Sequence, residues 1–242
     1  MRKFVRGLRT QLKLLLCRRP RPTVLMYHSI GENAAHFTVT PDAFRSQLTW
    51  LADHDWSVVS LSECVRRARA GETGKFCALT FDDGYRDFLT EAAPVLKEHR
   101  YQATVFLIAG RMGESYRNSQ GVEIPLLTWD ETASLARDGF TVGSHTLTHQ
   151  KLSKLAAPEA RHELTASRDL INSRLNTSGG LWLCYPSGRH SAETMSLARE
   201  AGYVGAVTVV PGHPDSSTDP FAVPRAYVHR EMDLNEFAAL FA

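Results

Sequence analysis

Short apolar runs and helical segments alternate along the chain from residue 23 onward. The apolar runs, such as FCALTF (76–81) and ATVFLIAG (103–110), are too short for helices and predict strands. FCALTF is almost wholly apolar, which is typical of a strand buried on both faces of a parallel sheet. Similar strands are predicted in TVLMYHSI (23–30), WSVVSL, FTVGSHT, LWLCYP, VGAVTVV and PRAYVH.

Helix signals fill the intervals between these runs. In TPDAFRSQLTWLADH (40–54), Thr40 is a favourable N-cap residue and Pro41 suits the first helical position. The segment after residue 110, which contains Gly113 and Gly121, is predicted to be a loop. Further helices are predicted in SECVRRARAG, RDFLTEAAPVLKEHR, TWDETASLARDG (128–139), APEARHELTASRDLINSRLN (157–176), SAETMSLAREAG and LNEFAALFA.

This alternation predicts a single α/β domain over residues 23–242, with a mainly parallel sheet. We expect the sheet to close into a (β/α) barrel of about seven strands, because strand and helix alternate without an interior linker or low-complexity tract. In such barrels the functional groups lie at the C-terminal ends of the strands. Polar residues that follow the predicted strands should therefore meet along one rim.

Composition narrows the classes of function. Of the 242 residues, 43% are hydrophobic and 22% are charged, which is ordinary for a globular protein. A net charge of only +2 provides no field suited to nucleic acid, so no nucleic-acid partner is expected. The four cysteines are far apart and form no C-x-x-C pair, and buried or unreactive thiols are therefore expected at Cys17, Cys64, Cys77 and Cys184.

Residues 1–22 form a distinct basic segment, MRKFVRGLRTQLKLLLCRRPRP, without an acidic residue. Its longest apolar run is too short to span a bilayer or to act as the core of a signal peptide. Apolar residues recur at roughly helical spacing, which leaves two interpretations open: a basic amphipathic helix on an anionic membrane surface, or a disordered tail. A cytoplasmic location is expected, with peripheral contact to the inner face of the cell membrane under the first interpretation.

Two adjacent carboxylates, Asp82 and Asp83, follow the FCALTF strand directly. Asp-Gly is a common turn pair, which accounts for Asp83 and Gly84 but leaves Asp82 unexplained. Like charges at a strand end repel each other, and one of the two pKa values should rise unless a cation lies nearby.

Two histidines in GSHTLTHQKL, His145 and His149, are four residues apart, so their rings can face one point. The same spacing is also common for surface histidines. Their position at the end of a neighbouring strand favours a metal site, because a carboxylate and two imidazoles form a three-ligand set with a position left for water. Zinc suits these ligands, and cobalt, nickel or iron would suit them too.

The segments LTFDDGY (79–85) and SHTLTH (144–149) resemble the first two motifs of the polysaccharide deacetylase family, the NodB-homology domain of carbohydrate esterase family 4. The resemblance extends from about residue 23 to the C-terminal end and is closest to the branch that includes poly-N-acetylglucosamine deacetylases. It is supported by VLMYHSI, TPDAFRSQL, ATVFLIAG, LTWDE and EAGYVGAVTV. The resemblance implies a distorted (β/α) barrel that removes N-acetyl groups from amino sugars of a bacterial glycan with one divalent metal ion.

The resemblance also implies roles for individual residues. Asp83, His145 and His149 would hold the metal ion, and Asp82 would be the general base. His229, in RAYVHREM, occupies the position of the family's general acid, although Tyr227 stands where the family has Leu. A surface histidine at a strand end is the alternative for His229.

The third family motif is altered in this chain. Many members carry an Arg shortly before the Pro of this motif, where it pairs with the base, but LWLCYPSGRHS (181–191) has Leu183, Cys184 and Tyr185 there. Arg189 lies farther along the chain than the family's Arg, so the residue that tunes the pKa of Asp82 is left open. Backbone N–H groups near Tyr185 to Ser187 could bind an oxyanion.

Five further residues are candidates for substrate binding, and each has a structural alternative such as a core, cap or turn role. They are Tyr27 and His28 at the end of the first strand, Trp129 in LTWDE, and Tyr185 and Pro186 in the altered motif.

Three functional hypotheses follow from these patterns. The leading one is a metal-dependent hydrolase that removes N-acetyl groups from a bacterial envelope polysaccharide or exopolysaccharide. The basic N-terminal segment suggests an alternative substrate, a lipid-linked sugar at the cytoplasmic membrane face. The altered third motif suggests a non-catalytic carbohydrate-binding relic, although a binding protein has no need of the base Asp82. The sequence gives no indication of oligomeric state.

Overall fold

A computed structural model describes residues 20–118, 120–176 and 180–242. The predicted basic amphipathic segment falls almost wholly outside these residues, as does Cys17, and its membrane contact therefore stays a prediction. Across the described ranges, no helix has both the length and the apolar character needed to cross a bilayer.

The strands and helices alternate as the hydrophobic pattern predicts. The strands are β1 (Thr23–Tyr27), β2 (Ser29–Ile30), β3 (Thr38–Val39), β4 (Ser57–Val58), β5 (Phe76–Phe81), β6 (Thr104–Leu107), β7 (Ser115–Arg117), β8 (Glu123–Pro125), β9 (Thr141–Ser144), β10 (Trp182–Cys184), β11 (Gly205–Pro211) and β12 (Val223–Tyr227). The helices are α1 (Pro41–Asp53), α2 (Leu61–Arg69), α3 (Ala93–Glu98), α4 (Trp129–Arg137), α5 (Ala157–Leu175), α6 (Ala192–Glu200) and α7 (Leu234–Ala239).

The main sheet is parallel and closed. Its strands follow the order β1-β12-β11-β10-β9-β6-β5-β4, and β1 also pairs with β5 from Thr23↔Cys77 to Tyr27↔Phe81. This extra pairing closes seven strands into a barrel and leaves β4 as an outer extension of β5. The prediction of a (β/α) barrel of about seven strands is confirmed, and all C-terminal strand ends point to one rim.

Local signals in the sequence explain the position of several helices. The Thr40 side chain accepts a hydrogen bond from the Ala43 backbone, and Pro41 occupies the first turn of α1. At the start of α4, Thr128 and Glu131 form a reciprocal capping box. These caps satisfy backbone donors that a helix leaves unpaired at its N-terminal end.

The barrel wall is apolar on both sides, as expected for parallel strands covered by helices. All six residues of β5 and all five of β1 are buried. Between the barrel and α1, the rings of Tyr27 and Phe81 stack at 5.1 Å and Phe44 packs edge-on against Tyr27. Cys64, Cys77 and Cys184 are buried as free thiols.

Two features differ from the sequence prediction. The first predicted strand is interrupted: β1 ends at Tyr27, His28 leaves the ladder, and Ser29–Ile30 then pairs with Thr38–Val39. The segment predicted to be a loop contains an antiparallel hairpin, β7–β8, with Tyr116 opposite Ile124. Both features lie at the barrel rim and contribute side chains to the site described below.

Candidate active site

A cleft of about 450 Å³ opens at the C-terminal rim of the barrel. It is lined by Asp82 and Asp83 after β5, by His145 after β9, and by His149 in the following turn. His28, from the break after β1, and Tyr185, after β10, line it as well. The barrel therefore brings together residues from four strand ends that are far apart in the sequence.

Asp83, His145 and His149 converge on one point. Asp83 Oδ1 lies 3.3 Å from His145 Nε2 and 3.5 Å from His149 Nε2. One potential ligand atom from each of the three residues lies within 4.8 Å of the other two. Asp83 and His149 have φ angles of 69° and 67°, in the left-handed region that costs a non-glycine residue of order 1 kcal/mol. The fold therefore stores backbone strain to direct these side chains toward each other.

The outer ring nitrogens of both histidines are occupied by hydrogen bonds. His145 Nδ1 donates to the Cys184 carbonyl at 2.7 Å, since that oxygen can only accept. His149 Nδ1 pairs with the Tyr116 hydroxyl at 2.9 Å. Each ring consequently directs Nε2 toward Asp83, in the way that second-shell partners orient metal-ligating imidazoles.

The protonation states of His149 and Asp83 suit a divalent cation. At His145, Cys184 and Asp83 outweigh the effect of burial and raise the pKa, so a metal ion would take the place of the proton on that ring. Burial, assisted by the neighbouring His145, lowers the pKa of His149 to about 4, so that its ring is neutral at pH 7. Burial alone would raise the pKa of Asp83, but the adjacent His145 ring outweighs it and lowers that pKa. A carboxylate and a neutral imidazole are the forms that bind a metal ion. The residues present therefore fit a divalent metal ion.

Glu163, on α5, holds the turn that carries the histidines. Its side chain is only 4% exposed. One carboxylate oxygen accepts from the backbone N–H groups of Leu147 and Thr148, at 3.0 and 2.9 Å, and the other accepts from the Thr148 hydroxyl at 2.5 Å. The turn between His145 and His149 is thus fixed by a buried anion on a long helix.

Asp82 faces the interior of the barrel, where Arg225 of β12 holds it. The two guanidinium nitrogens of Arg225 donate to the two carboxylate oxygens of Asp82, both at 2.7 Å. Arg225 is fully buried and donates further hydrogen bonds to the Thr208 carbonyl and the Thr80 hydroxyl. A bidentate pair of this kind fixes the position of the carboxylate as well as its charge.

Arg225 decides the protonation state of Asp82. Burial alone would raise the pKa of this carboxyl, but the charge and hydrogen bonds of Arg225 lower it from 3.8 to about 2. Asp82 is therefore ionised at neutral pH and able to accept a proton. Cys184 Sγ lies 3.3 Å from Asp82 Oδ2 and 3.2 Å from an Arg225 nitrogen.

A second ligand cluster, Asp82, His145 and Cys184, also has atoms within 4.8 Å of one another. Both oxygens of Asp82 and the sulfur of Cys184 are already bound to Arg225. A guanidinium cation in contact with these atoms disfavours a metal ion there. The cluster built on Asp83 is the better metal centre.

His28 lies at the rim, as the sequence predicts, whereas His229 is not among the residues that line the cleft. His28 Nε2 lies 3.9 Å from Asp82 Oδ2 at the wall of the cleft. His229 does not line the cleft; its ring stacks on His36 at 4.8 Å. The Val228 N–H still donates to the Met26 carbonyl at 3.0 Å, so the chain follows β1 up to His229, and the role of His229 as general acid stays a prediction.

Three of the residues predicted to bind substrate lie elsewhere. Tyr27, the last residue of β1, is fully buried in the core, and its hydroxyl donates to Gln47 Oε1 on α1. Trp129 packs at the start of α4 beside Arg174. Pro186 is buried in a short 3-10 turn. Tyr185 does line the cleft, although its hydroxyl donates to the Phe221 carbonyl.

Sequence reasoning missed Arg225 and the β7–β8 hairpin. Arg189, considered as a partner of Asp82, is exposed and makes no contact with it in the described structure. Arg225 stands in the short strand VPRAY, and a charged residue inside a buried strand is a signal for a buried partner. The hairpin, which supplies Tyr116, carries no such signal.

Comparison with known proteins places these residues in a wider context. The sequence model of the family described as polysaccharide deacetylase matches residues 69–206. The chain is 29% identical over 218 residues to YxkH of Bacillus subtilis (strain 168), whose name describes it as a polysaccharide deacetylase. The alignment covers 74% of the length of YxkH. The chain is 24% identical over 188 residues to poly-beta-1,6-N-acetyl-D-glucosamine N-deacetylase of Staphylococcus aureus (strain MRSA252), of which it spans 63%. These alignments cover 89% and 74% of this chain.

Solved structures share the barrel. The deacetylase PplD of Streptococcus pyogenes, solved in complex with acetate, superposes with a TM-score of 0.80 and 26% identity, covering 93% of this chain and 100% of that one. IcaB from Ammonifex degensii superposes with a TM-score of 0.78 and 21% identity, covering 92% of this chain and 98% of that one. The second likeness concerns the fold alone. The matched range 69–206 contains Asp82 and the three metal-binding candidates but neither His28 nor Arg225.

Proposed function

Because this chain belongs to the polysaccharide deacetylase family, we propose that it hydrolyses N-acetyl groups on the amino sugars of a bacterial glycan with the help of one divalent metal ion. The observation that carries the proposal is the pairing of a base held ionised, Asp82, with a three-ligand set in the same cleft. A poly-N-acetylglucosamine is the substrate class suggested by the similar S. aureus enzyme. Acetate, present in the S. pyogenes structure, is the product expected from this reaction.

Asp83, His145 and His149 would hold the metal ion, with zinc the expected species. A divalent ion in such a site polarises a carbonyl group and makes water easier to deprotonate. The chain's own contribution begins with Asp82, whose carboxylate accepts the proton of the water that attacks the acetamide carbon. Arg225 keeps that carboxylate ionised and fixed in position before the reaction.

Cleavage of the carbon–nitrogen bond needs a proton on the departing amine. His28 is suited to this step because its Nε2 lies 3.9 Å from the carboxylate that has just received a proton. Burial lowers the pKa of His28 despite the nearby Asp82 and Asp83, so its resting ring is neutral and able to take up that proton. We therefore propose His28, in place of His229, as the general acid.

Acetate release tests the proposal directly. The purified, metal-loaded protein should release acetate from β-1,6-linked or β-1,4-linked N-acetylglucosamine oligomers. Asp82→Asn should retain the metal ion and lose turnover by about 10²- to 10⁴-fold, the usual contribution of a general base. Asp83→Asn should instead weaken metal binding. No acetate release from any oligomer, with zinc, cobalt, nickel or iron supplied, would refute the function.

The assignment of the acid has its own control. His28→Gln should lower kcat by about 10²-fold or more, and His229→Gln should leave it near the wild-type value. The opposite ranking would restore the role that the resemblance first implied for His229.

A further inference from the structure

The β7–β8 hairpin carries an asparagine whose amide is held in one orientation. Asn118 follows β7, lines the cleft and is only 9% exposed. Its Oδ1 accepts from the backbone N–H groups of Gln120 and Val122, at 2.9 and 3.2 Å. Because both partners are donors, the oxygen must face the turn, and the Nδ2 group must face away from it.

The other half of this amide is unused. Asn118 Nδ2 is buried and has no hydrogen-bond partner among the residues that the structure describes. The buried Tyr85 hydroxyl likewise has no partner in hydrogen-bonding geometry among the described residues. Burial and the Asp83 carboxylate raise the pKa of Tyr85 and the Asn118 side chain lowers it, so both side chains lie close to this hydroxyl. Buried donors without a partner are rare in native proteins and point to a missing ligand or water.

The hairpin is anchored to the metal centre, which gives Asn118 a fixed place in the cleft. Tyr116, two residues earlier, pairs with His149 Nδ1 at 2.9 Å. Tyr85, behind Asn118, directly follows the Asp83–Gly84 turn and bridges to Leu126 at the end of the hairpin. A group bound by Asn118 would therefore lie beside the reaction centre.

We propose that Asn118 is a substrate-binding residue whose Nδ2 donates a hydrogen bond to a neutral acceptor oxygen of the amino sugar. The inference rests on the proposed function and deepens it. An amide N–H₂ group cannot bind a cation, and the carboxylates of Asp82 and Asp83 in the same cleft disfavour an anion. A sugar hydroxyl or an acetamide carbonyl remains as the chemistry that this donor recognises.

Substitution can separate the two roles of the Asn118 amide, whose oxygen holds the turn and whose nitrogen is the proposed donor. Asn118→Asp keeps an oxygen for the Gln120 and Val122 N–H groups and replaces the donor with an acceptor, which repels an acceptor oxygen of the substrate. Asn235→Asp makes the same change at an exposed position on α7 and controls for added charge. Should Asn118→Asp fail to fold, Asn118→Ser, whose hydroxyl can accept at the turn, serves under the same criteria.

The measurements are kcat/KM, metal content and melting temperature of the full chain, with a β-1,6-linked N-acetylglucosamine pentamer as substrate. Asn118→Asp should lower kcat/KM about 10- to 100-fold relative to wild type and Asn235→Asp, with metal content and melting temperature unchanged. An equal kcat/KM would overturn the proposal. Loss of the metal ion in parallel with activity would also overturn it, by showing that Asn118 acts on the metal centre.

Calorimetric binding keeps this inference distinct from the proposed hydrolysis. If the wild type released no acetate, the hydrolase would be refuted, but the pentamer should still bind at least tenfold more weakly to Asn118→Asp. The role of Asn118 would be overturned if the wild type did not bind the pentamer, or if the wild type and Asn118→Asp bound it equally well. Weaker binding of both the pentamer and its de-N-acetylated form would identify a ring hydroxyl as the acceptor. Weaker binding of the acetylated form alone would identify the acetamide oxygen.

Discussion

Replacement of Arg225 by Met should destabilise the protein and disable Asp82, the proposed base. Methionine fills a similar volume without charge, so the Asp82 carboxylate would remain in the barrel interior without its cation. In the native protein Arg225 lowers the pKa of Asp82 from 3.8 to about 2, which corresponds to about 2 kcal/mol in favour of the ionised form. This stabilisation is complete above pH 4 and is lost only as the pH falls through about 2.

Removal of the cation costs more than this difference, because the burial of Asp82 is then uncompensated. Breaking a buried ion pair on one side typically costs about 3–5 kcal/mol. Burial should then raise the pKa of Asp82, and the destabilisation of Arg225→Met should therefore be smaller at pH 5 than at pH 8. A base that is protonated at neutral pH should also lower kcat/KM by about 10²- to 10⁴-fold.

Urea unfolding at one fixed metal concentration measures the stability term, since a ligand of the native state raises apparent stability. The double variant Asp82→Asn with Arg225→Met removes both charges and should recover about 1–3 kcal/mol relative to Arg225→Met alone. Arg225→Lys, which retains the charge but not the two-pronged hydrogen bond, should lie between wild type and Arg225→Met in activity. A double variant no more stable than Arg225→Met, or an Arg225→Met protein with wild-type activity, would refute the reasoning.

Two further predictions concern groups outside the Asp82 pair. Glu163→Gln loses one carboxylate acceptor of the turn between His145 and His149, the proposed metal ligands, and the metal dissociation constant should rise about tenfold. Competition with a chromophoric chelator measures this constant, with the exposed Glu159→Gln as control, and equal metal affinities would contradict the role of Glu163. Burial raises the pKa of Asp87 from 3.8 to about 7, so the wild type should lose up to about 4 kcal/mol of stability between pH 4 and pH 7 as the unfolded chain alone releases this proton. Asp87→Asn should remove that slope in urea unfolding, and parallel pH profiles of the two proteins would count against it.

Much of the barrel and the metal-ligand cluster could be predicted from the sequence, for physical reasons. Apolar runs, N-cap residues and their alternation are local signals, and parallel strands necessarily bring their C-terminal ends to one rim. Asp83 and the histidine pair follow two such strands, β5 and β9, which are separated in the barrel by β6 alone. Their proximity follows from topology without knowledge of any side-chain contact.

Arg225 could not be placed in the same way, whereas His28 was predicted at the rim because it follows the first strand. Arg225 lies 143 residues from Asp82 in the sequence, and the two meet only because β1 joins both β5 and β12 when the barrel closes. The role proposed for His28 was not predicted, because it depends on the break after Tyr27, where the chain leaves the β1 ladder. The β7–β8 hairpin was predicted to be a loop because each strand has three residues, too few for hydrophobic alternation to show.

The two adjacent carboxylates can differ in role because the backbone changes conformation between them. Asp82 still belongs to the ladder, with its N–H donating to the Tyr27 carbonyl at 3.0 Å, and its side chain points into the barrel toward Arg225. Asp83 has a φ angle of 69° and Gly84 one of 70°, so the chain turns sharply and directs Asp83 to the rim. A straight strand would also have sent the two side chains to opposite faces, but it would have buried one of them in the helical layer. The left-handed turn is therefore what lets Asp82 pair with the internal Arg225 while Asp83 faces His145 and His149 at the rim.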